Sequence, residues 1–336
     1  MDTPTIESKP PDQPWIANFW RRFSAFFIDG LLIALVGYGI SQLMVPFLVE
    51  NPGLARFIGF LIVLPLSIIF DSRIGHGQTP GKKLLKLRVV DKNNLQISPL
   101  KAAARAIILY CPLFLNGAVF PEDLTNSKLG SAFLSVILFG GLFALLYLII
   151  FNRNTRQSLH DVITGTYVIN SEACIDTPTS IWKWHIIIVS LFAFSMLALP
   201  WLVDKQLEQI KLDDLGRVQE QLSSLPNVVS SKIMKGEKQA ISGKNGKSTS
   251  SFISVSLSLR EDTIDDEIFG KNVANYVLLN TDNACSKDVI SVSLSYGYSI
   301  VIAGRTSTRN YFIKTSELEP SCLEYVKDLP RIDWQY

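Results

Sequence analysis

Asp29 stands inside an apolar run, Phe23 to Val49, that is otherwise interrupted only by small polar residues. A carboxylate at membrane depth is costly unless it is paired or hydrated, so it faces protein or a water-filled cavity. An acid so placed can bind a proton or a cation. Arg22 precedes it by seven residues in the stretch WRRFSAFFIDG. Two helical turns put the two side chains on one face, about 10 Å apart along the axis, with Arg22 as counter-charge. The plainer chemistry for the same pair is a structural ion pair near the membrane interface.

Two further stretches invite chemical readings. In RQSLHDVITGTYVI (156–169), the His160-Asp161 pair would suit a metal phosphohydrolase only with additional His and Asp ligands. The three histidines, His76, His160 and His185, are scattered, so no metal site is expected and cytoplasmic loop structure is the better reading. In GHGQTPGKKLLKLRVVD (75–91), Gly81-Lys82-Lys83 resembles the end of a phosphate loop. The spacing fails, because five residues separate Gly75 from Gly81 where four are needed. Lys83 also fills the Ser/Thr position that would bind magnesium. The glycines and Pro80 predict a fixed turn leading into an interfacial strand or helix. Lys82, Lys83, Lys86 and Arg88 are then expected to face anionic lipid headgroups, each attracted by about 1 kcal/mol. Neither a cofactor nor a nucleic-acid partner is indicated, and no catalytic-triad spacing occurs, so a non-enzymatic protein is expected.

The elements that would position these residues follow from composition. Of 336 residues, 48% are hydrophobic and 18% charged, with mean hydropathy +0.24. Soluble domains carry about 25% charged residues, so the composition argues against an ordinary cytosolic enzyme. The apolar excess lies almost wholly before residue 204. Five runs are long enough, or nearly so, to cross a bilayer: about 23–49, 56–71, 106–120, 131–151 and 183–203. Trp184 and Trp201 bracket the last one, about 25 Å apart along a helix, as interfacial tryptophans do. With all five crossing, fourteen Lys/Arg fall on the side of the N-terminus and two in the opposing short loops. That asymmetry places the N-terminus in the cytoplasm and residues 204–336 outside it.

The expected fold is therefore an α-helical polytopic membrane domain of about five transmembrane helices plus a small soluble α+β domain. Residues 1–18 read as a disordered cytoplasmic tail, 19–170 as the membrane domain, 171–182 as a linker, 183–203 as the fifth helix and 204–336 as the extracytoplasmic domain. In that last part, Leu207, Ile210, Val218 and Leu222 recur at helical spacing, and a second helix through Ile264 and Val277 is expected to be capped at Asp262-Thr263. Ile253 to Leu259 and Ile290 to Tyr296 alternate as half-buried strands. Ile300–Ala303 and Tyr311–Ile313 would complete a small antiparallel sheet, and 243–251 reads as a flexible polar loop. Cys285 and Cys322 are the two cysteines of this exported part. A bridge between them would close a 37-residue separation and stabilise the domain by roughly 3–4 kcal/mol; two separate buried thiols are the alternative.

Arg22 and Asp29 in the first helix, TPGKKLLKLRVVD in the centre and Asp161 in SLHDVITGT together resemble the RDD family of integral membrane proteins, named for an arginine and two aspartates. The resemblance covers about residues 15–170 and does not extend to 204–336. It implies a multi-pass protein of the bacterial plasma (inner) membrane, with Arg22, Asp29 and Asp161 as the family-motif residues and transport, including cation/proton exchange, as the activity. The competing expectation is a membrane-anchored assembly or sensing protein acting on an envelope partner through residues 204–336. The lipid bilayer is the partner common to both, and a homo-oligomer is compatible with either.

Overall fold

The computed structural model describes residues 15–118, 120–175, 180–207, 213–242 and 246–315. The chain divides into two compact units: residues 1–40, 56–203 and 300–303, and residues 41–55, 204–299 and 304–336.

The long helices are α1 (Phe19–Gln42), α3 (Pro52–Asp71) and the continuous run Lys128–Phe151. These three are long and apolar enough to cross a membrane. Their outward faces are apolar rather than polar: Phe27, Leu31 and Leu35 of α1 and Phe133 of the last run are all exposed. That is the pattern of helices solvated by lipid, where the usual penalty for exposed hydrophobic area does not apply. Pro65 lies inside α3, and the third run is α7 (Lys128–Ser135) joined to α8 (Gly141–Phe151) by a π-helical turn at Val136–Gly140. Short helices α2 (Val45–Glu50) and α6 (Glu122–Asn126) flank these spans.

The other two expected crossings differ from the reading of the sequence. The run at 106–120 is the later part of α5 (Pro99–Leu115), a 17-residue helix that begins earlier than its apolarity suggests. Ser98 starts it by accepting from the Lys101 N–H, with Pro99 at the first helical position. Arg105, taken as the boundary of a span, is a buried residue within the helix. The 183–203 run is split into α10 (Lys183–Leu197) and α11 (Leu199–Leu207) around Ala198.

Between the spans lies a small cap. Thr79 caps α4 (Pro80–Leu84), which leads into β1 (Leu87–Asp91). α9 (Leu159–Thr164) ends on Gly165, whose φ of 61° satisfies the helix end in a conformation that glycine adopts without penalty. β2 (Thr166–Asn170) follows and pairs antiparallel with β1, from Leu87 opposite Asn170 to Asp91 opposite Thr166. Leu87, Val89, Val90, Val168 and Ile169 are buried in this ribbon together with Trp15 and Ala17. The stretch expected as loop structure is thus a helix and a strand, and the stretch expected as an interfacial strand or helix is one of each.

The second unit contains α12 (Asp213–Ser223), β3 (Val228–Ser242), β4 (Gly246–Leu259), α13 (Glu267–Asn280), β5 (Val289–Ser299) and β6 (Gly304–Lys314). The sheet order is β3-β4-β5-β6. Alternate residues Ile253, Val255, Leu257 and Ile290, Val292, Leu294 form a core with Val218 and Leu222 of α12 and Val273 and Val277 of α13. The soluble α+β reading holds, with four corrections. β4 and β5 are parallel, because α13 carries the chain back across the sheet. Residues 300–303 lie in the turn before β6. Residues 246–251, read as loop, are strand paired with β3, since Ser and Thr accept β geometry once a partner strand supplies the ladder. Asp266 caps α13 by accepting from the Phe269 N–H at 2.8 Å, three residues beyond Thr263. Residues 1–14 of the tail, 176–179 of the linker, Ile210 and Cys322 lie outside the described residues; Cys285 is disulfide-bonded.

Candidate functional site

α1, α3, α4, α5 and α9 converge on a network of three cationic and three anionic side chains, all buried or nearly so. Asp161 is its centre and is fully buried. Its carboxylate accepts from Arg22 Nη2 at 2.6 Å, from Arg105 Nε at 3.0 Å and from the Thr166 hydroxyl at 3.0 Å. α9 supplies the acid, and β2 supplies the threonine immediately after the Gly165 turn. Arg22 also donates to the Arg156 carbonyl, which completes the tie between α1 and the segment leading into α9. Burial alone would raise the Asp161 carboxyl. The guanidinium groups of Arg105 and Arg22 outweigh it and hold the carboxyl far below the usual carboxylate range.

Asp71, the last residue of α3, is the second acid. One oxygen accepts from Lys82 of α4 and the other from Arg105 of α5. Arg105 therefore bridges Asp71 and Asp161, and also donates to His160 Nε2 at 3.1 Å. That bond requires a neutral ring with its proton on Nδ1, and Nδ1 is buried with no partner among the described residues. Burial pushes the His160 ring down to about 3, against the attraction of Asp161 and with the help of Arg105 and Arg22. Burial likewise pulls the Lys82 ammonium below the usual lysine value, and Asp71 opposes that shift.

Asp29, the third acid, is bound differently. Its carboxylate accepts from the Gly81 N–H at 2.7 Å and from the Thr79 hydroxyl. Both donors are neutral. Arg22, the counter-charge expected from seven-residue spacing, is engaged by Asp161 instead. The reason is reach: the partner two turns away along α1 competes with one that α9 delivers directly to the guanidinium. Gly81 permits the approach, because a Cβ there would stand 2.4 Å from the Ala25 carbonyl oxygen and 3.0 Å from the Asp29 carboxyl. Gly81→Ala is expected to push α4 off α1, open both bonds to Asp29 and cost about 1–3 kcal/mol. The thermal midpoint of the purified full chain would register this; an unchanged midpoint would mean that α4 does not press on α1.

The expected row of headgroup-facing cations is also corrected. Lys82 turns inward to Asp71 and only 15% of its side chain is accessible, because a buried carboxylate in reach is a stronger partner than solvated phosphate. Arg88 is half-buried and donates to the Ala173 carbonyl at 3.0 Å. Lys83 and Lys86 are exposed, and Lys86 lies 3.3 Å from Glu172. Arg105, Asp71 and His160 are the participants that the sequence reading missed. The signal was present for Arg105, a lone cation in the apolar stretch AAARAIIL.

The RDD family model matches residues 16–165. The uncharacterized protein YckC of Bacillus subtilis (strain 168) is 30% identical over 158 residues, which cover 45% of this chain and 83% of that protein. The chain belongs to the RDD family. A second Bacillus subtilis (strain 168) protein, the uncharacterized YxaI, is 27% identical over 124 residues, 31% of this chain and 80% of its own length. No solved structure matches. The RDD match contains every charged member of the network and excludes the domain 204–336.

The neutral His160 gives the RDD network a pH signature. The unfolded chain takes up a proton at this ring below about 6.5, whereas the folded chain refuses it until about 3. The unfolded state then binds more protons, so stability that is complete above pH 6.5 falls as the pH drops through this window. The slope is at most about 1.4 kcal/mol per pH unit. Thermal midpoints measured from pH 7.5 to 5.0 are expected to decline, and His160→Gln to flatten that decline. An equal slope in the variant would assign the acid sensitivity elsewhere.

Proposed function

We propose that this RDD-family protein crosses the membrane five times, with its N-terminus in the cytoplasm and residues 204–336 outside, and exchanges protons for a monovalent cation at Asp29. The observation that carries the reading is the unequal pairing of the three buried acids. Asp71 meets Lys82 and Arg105, and Asp161 meets Arg22 and Arg105. Asp29 meets a hydroxyl and a backbone N–H. A carboxylate held by neutral donors keeps a charge that a proton or a cation can balance, and in a membrane helix such an acid marks an ion path. Lys82, bonded to Asp71 and within electrostatic range of Asp29, is a cationic group that the charge on Asp29 can act on. The test is proton movement in proteoliposomes containing the full chain, followed with a lumenal pH dye as sodium, potassium and lithium are added in turn.

A second reading rests on the separate core of the α+β unit, built on its own sheet and two helices. In it, residues 204–336 bind an envelope partner and the RDD domain is the anchor. Deleting 204–336 separates the two: retained flux supports the exchanger, whereas loss of a co-purifying partner with no flux in either form supports the anchor.

A further inference from the structure

The start of α1 and the end of α8 border an open cavity of about 360 Å³, lined by Asn18, Phe19, Trp20, Ile150, Arg153 and Arg156. Two of the lining residues are arginines and, among the described residues, none is acidic. Arg22 and Arg105 are neutralised by buried acids, but among the described residues neither Arg153 nor Arg156 has a side-chain ion pair or hydrogen bond.

Arg156 is held in an unusual way. Its φ is 54°, in the left-handed region that side chains such as arginine rarely occupy. The position is fixed from both sides: its N–H donates to the Asn152 carbonyl at 2.9 Å, and its own carbonyl accepts from Arg22. Strain of this kind persists only where the surroundings impose it, and it clusters at binding sites. The backbone of Arg156 is thus tied to the buried network, and the residue also lines the cavity.

The rest of the cavity is aromatic and aliphatic. Trp20 is 70% exposed and packs edge-on against Phe19 with ring centroids 5.3 Å apart. Exposed Phe23 and Phe151 continue the apolar surface along the two helices. A cationic end beside an apolar flank complements a molecule with a phosphate and a hydrocarbon tail.

We infer that this cavity binds the phosphate of an anionic phospholipid, with Arg153 and Arg156 on the phosphate oxygens and Trp20 and Ile150 against the glycerol and upper acyl chain. Guanidinium groups suit this task because their donors match phosphate oxygens in pairs and stay charged at any physiological pH. The inference is independent of the exchange reading, since it uses neither Asp29 nor the buried acids.

The experiment is lipid binding by the detergent-purified full chain, titrated with phosphatidylglycerol, with phosphatidylcholine and with inorganic phosphate. Phosphatidylglycerol is expected to bind more tightly than phosphatidylcholine. Arg153→Gln is expected to weaken it about fivefold, and the Arg153→Gln/Arg156→Gln pair about thirtyfold. Arg156→Lys, which keeps the charge, is expected to lose less than Arg156→Gln. Displacement of the lipid by millimolar inorganic phosphate would show that the site accepts the free anion as well; failure to displace it would assign the site to the lipid headgroup with its tail. Either result keeps the anion site. Equal binding of the two lipids, or undiminished phosphatidylglycerol binding in the double variant, overturns it. Arg153 is exposed and its side chain makes no hydrogen bond or ion pair among the described residues, so Arg153→Gln alone decides the matter should the double variant fold poorly.

Discussion

Asp161→Asn is expected to remove about 3–5 kcal/mol of stability and most of the folded protein from the membrane. The substitution barely changes shape. What it removes is the charge shared by Arg22 and Arg105, leaving two buried guanidinium groups around a neutral amide. Arg105 keeps Asp71, but Arg22 keeps only the Arg156 carbonyl. Arg22→Met placed on top of Asp161→Asn should recover part of the loss, since it removes the stranded cation as well. The measurement is the amount of full-length protein in membranes together with its thermal midpoint after purification. A single variant within about 1 kcal/mol of the native protein would mean that the pair contributes as little as an exposed one.

Asp29→Asn is expected to behave in the opposite way. The asparagine oxygen still accepts from the Gly81 N–H, so α4 stays seated on α1 and the protein level is retained. The charge that a proton or cation would balance is gone, so flux is expected to stop. The contrast between two Asp→Asn changes in one network separates an acid whose charge holds the fold from one whose charge the fold does not need, and flux then separates exchange from structure at Asp29. Asp29 is the acid with neutral partners, and Asp161 is the acid with two cations.

The two residues that the sequence singled out in α1 are both in the network, and so is Asp161, because an ionisable group beside an apolar run is informative on its own. Their pairing was not legible. Helical periodicity links Arg22 to Asp29, seven residues away, whereas the bond that forms joins Arg22 to Asp161 across 139 residues. Arg105 and Asp71 were hidden for a related reason. Each stands at the edge of an apolar run, where a charge reads as the end of a span, and only tertiary structure shows them turned inward toward each other. Lys82 was misread because the KKLLK pattern looks like a solvated basic face. In the α+β unit, alternation located strands β4 and β5, but alternation carries no information on strand direction, which the α13 crossover sets.

The most direct measurement is cation-driven proton flux in proteoliposomes, comparing the native protein with Asp29→Asn at matched reconstitution. The account predicts a lumenal pH change on addition of at least one of sodium, potassium or lithium in the native protein, and a flat trace in the variant. A flat trace in both, with intact and correctly inserted protein, would contradict exchange at Asp29, as would equal flux in both.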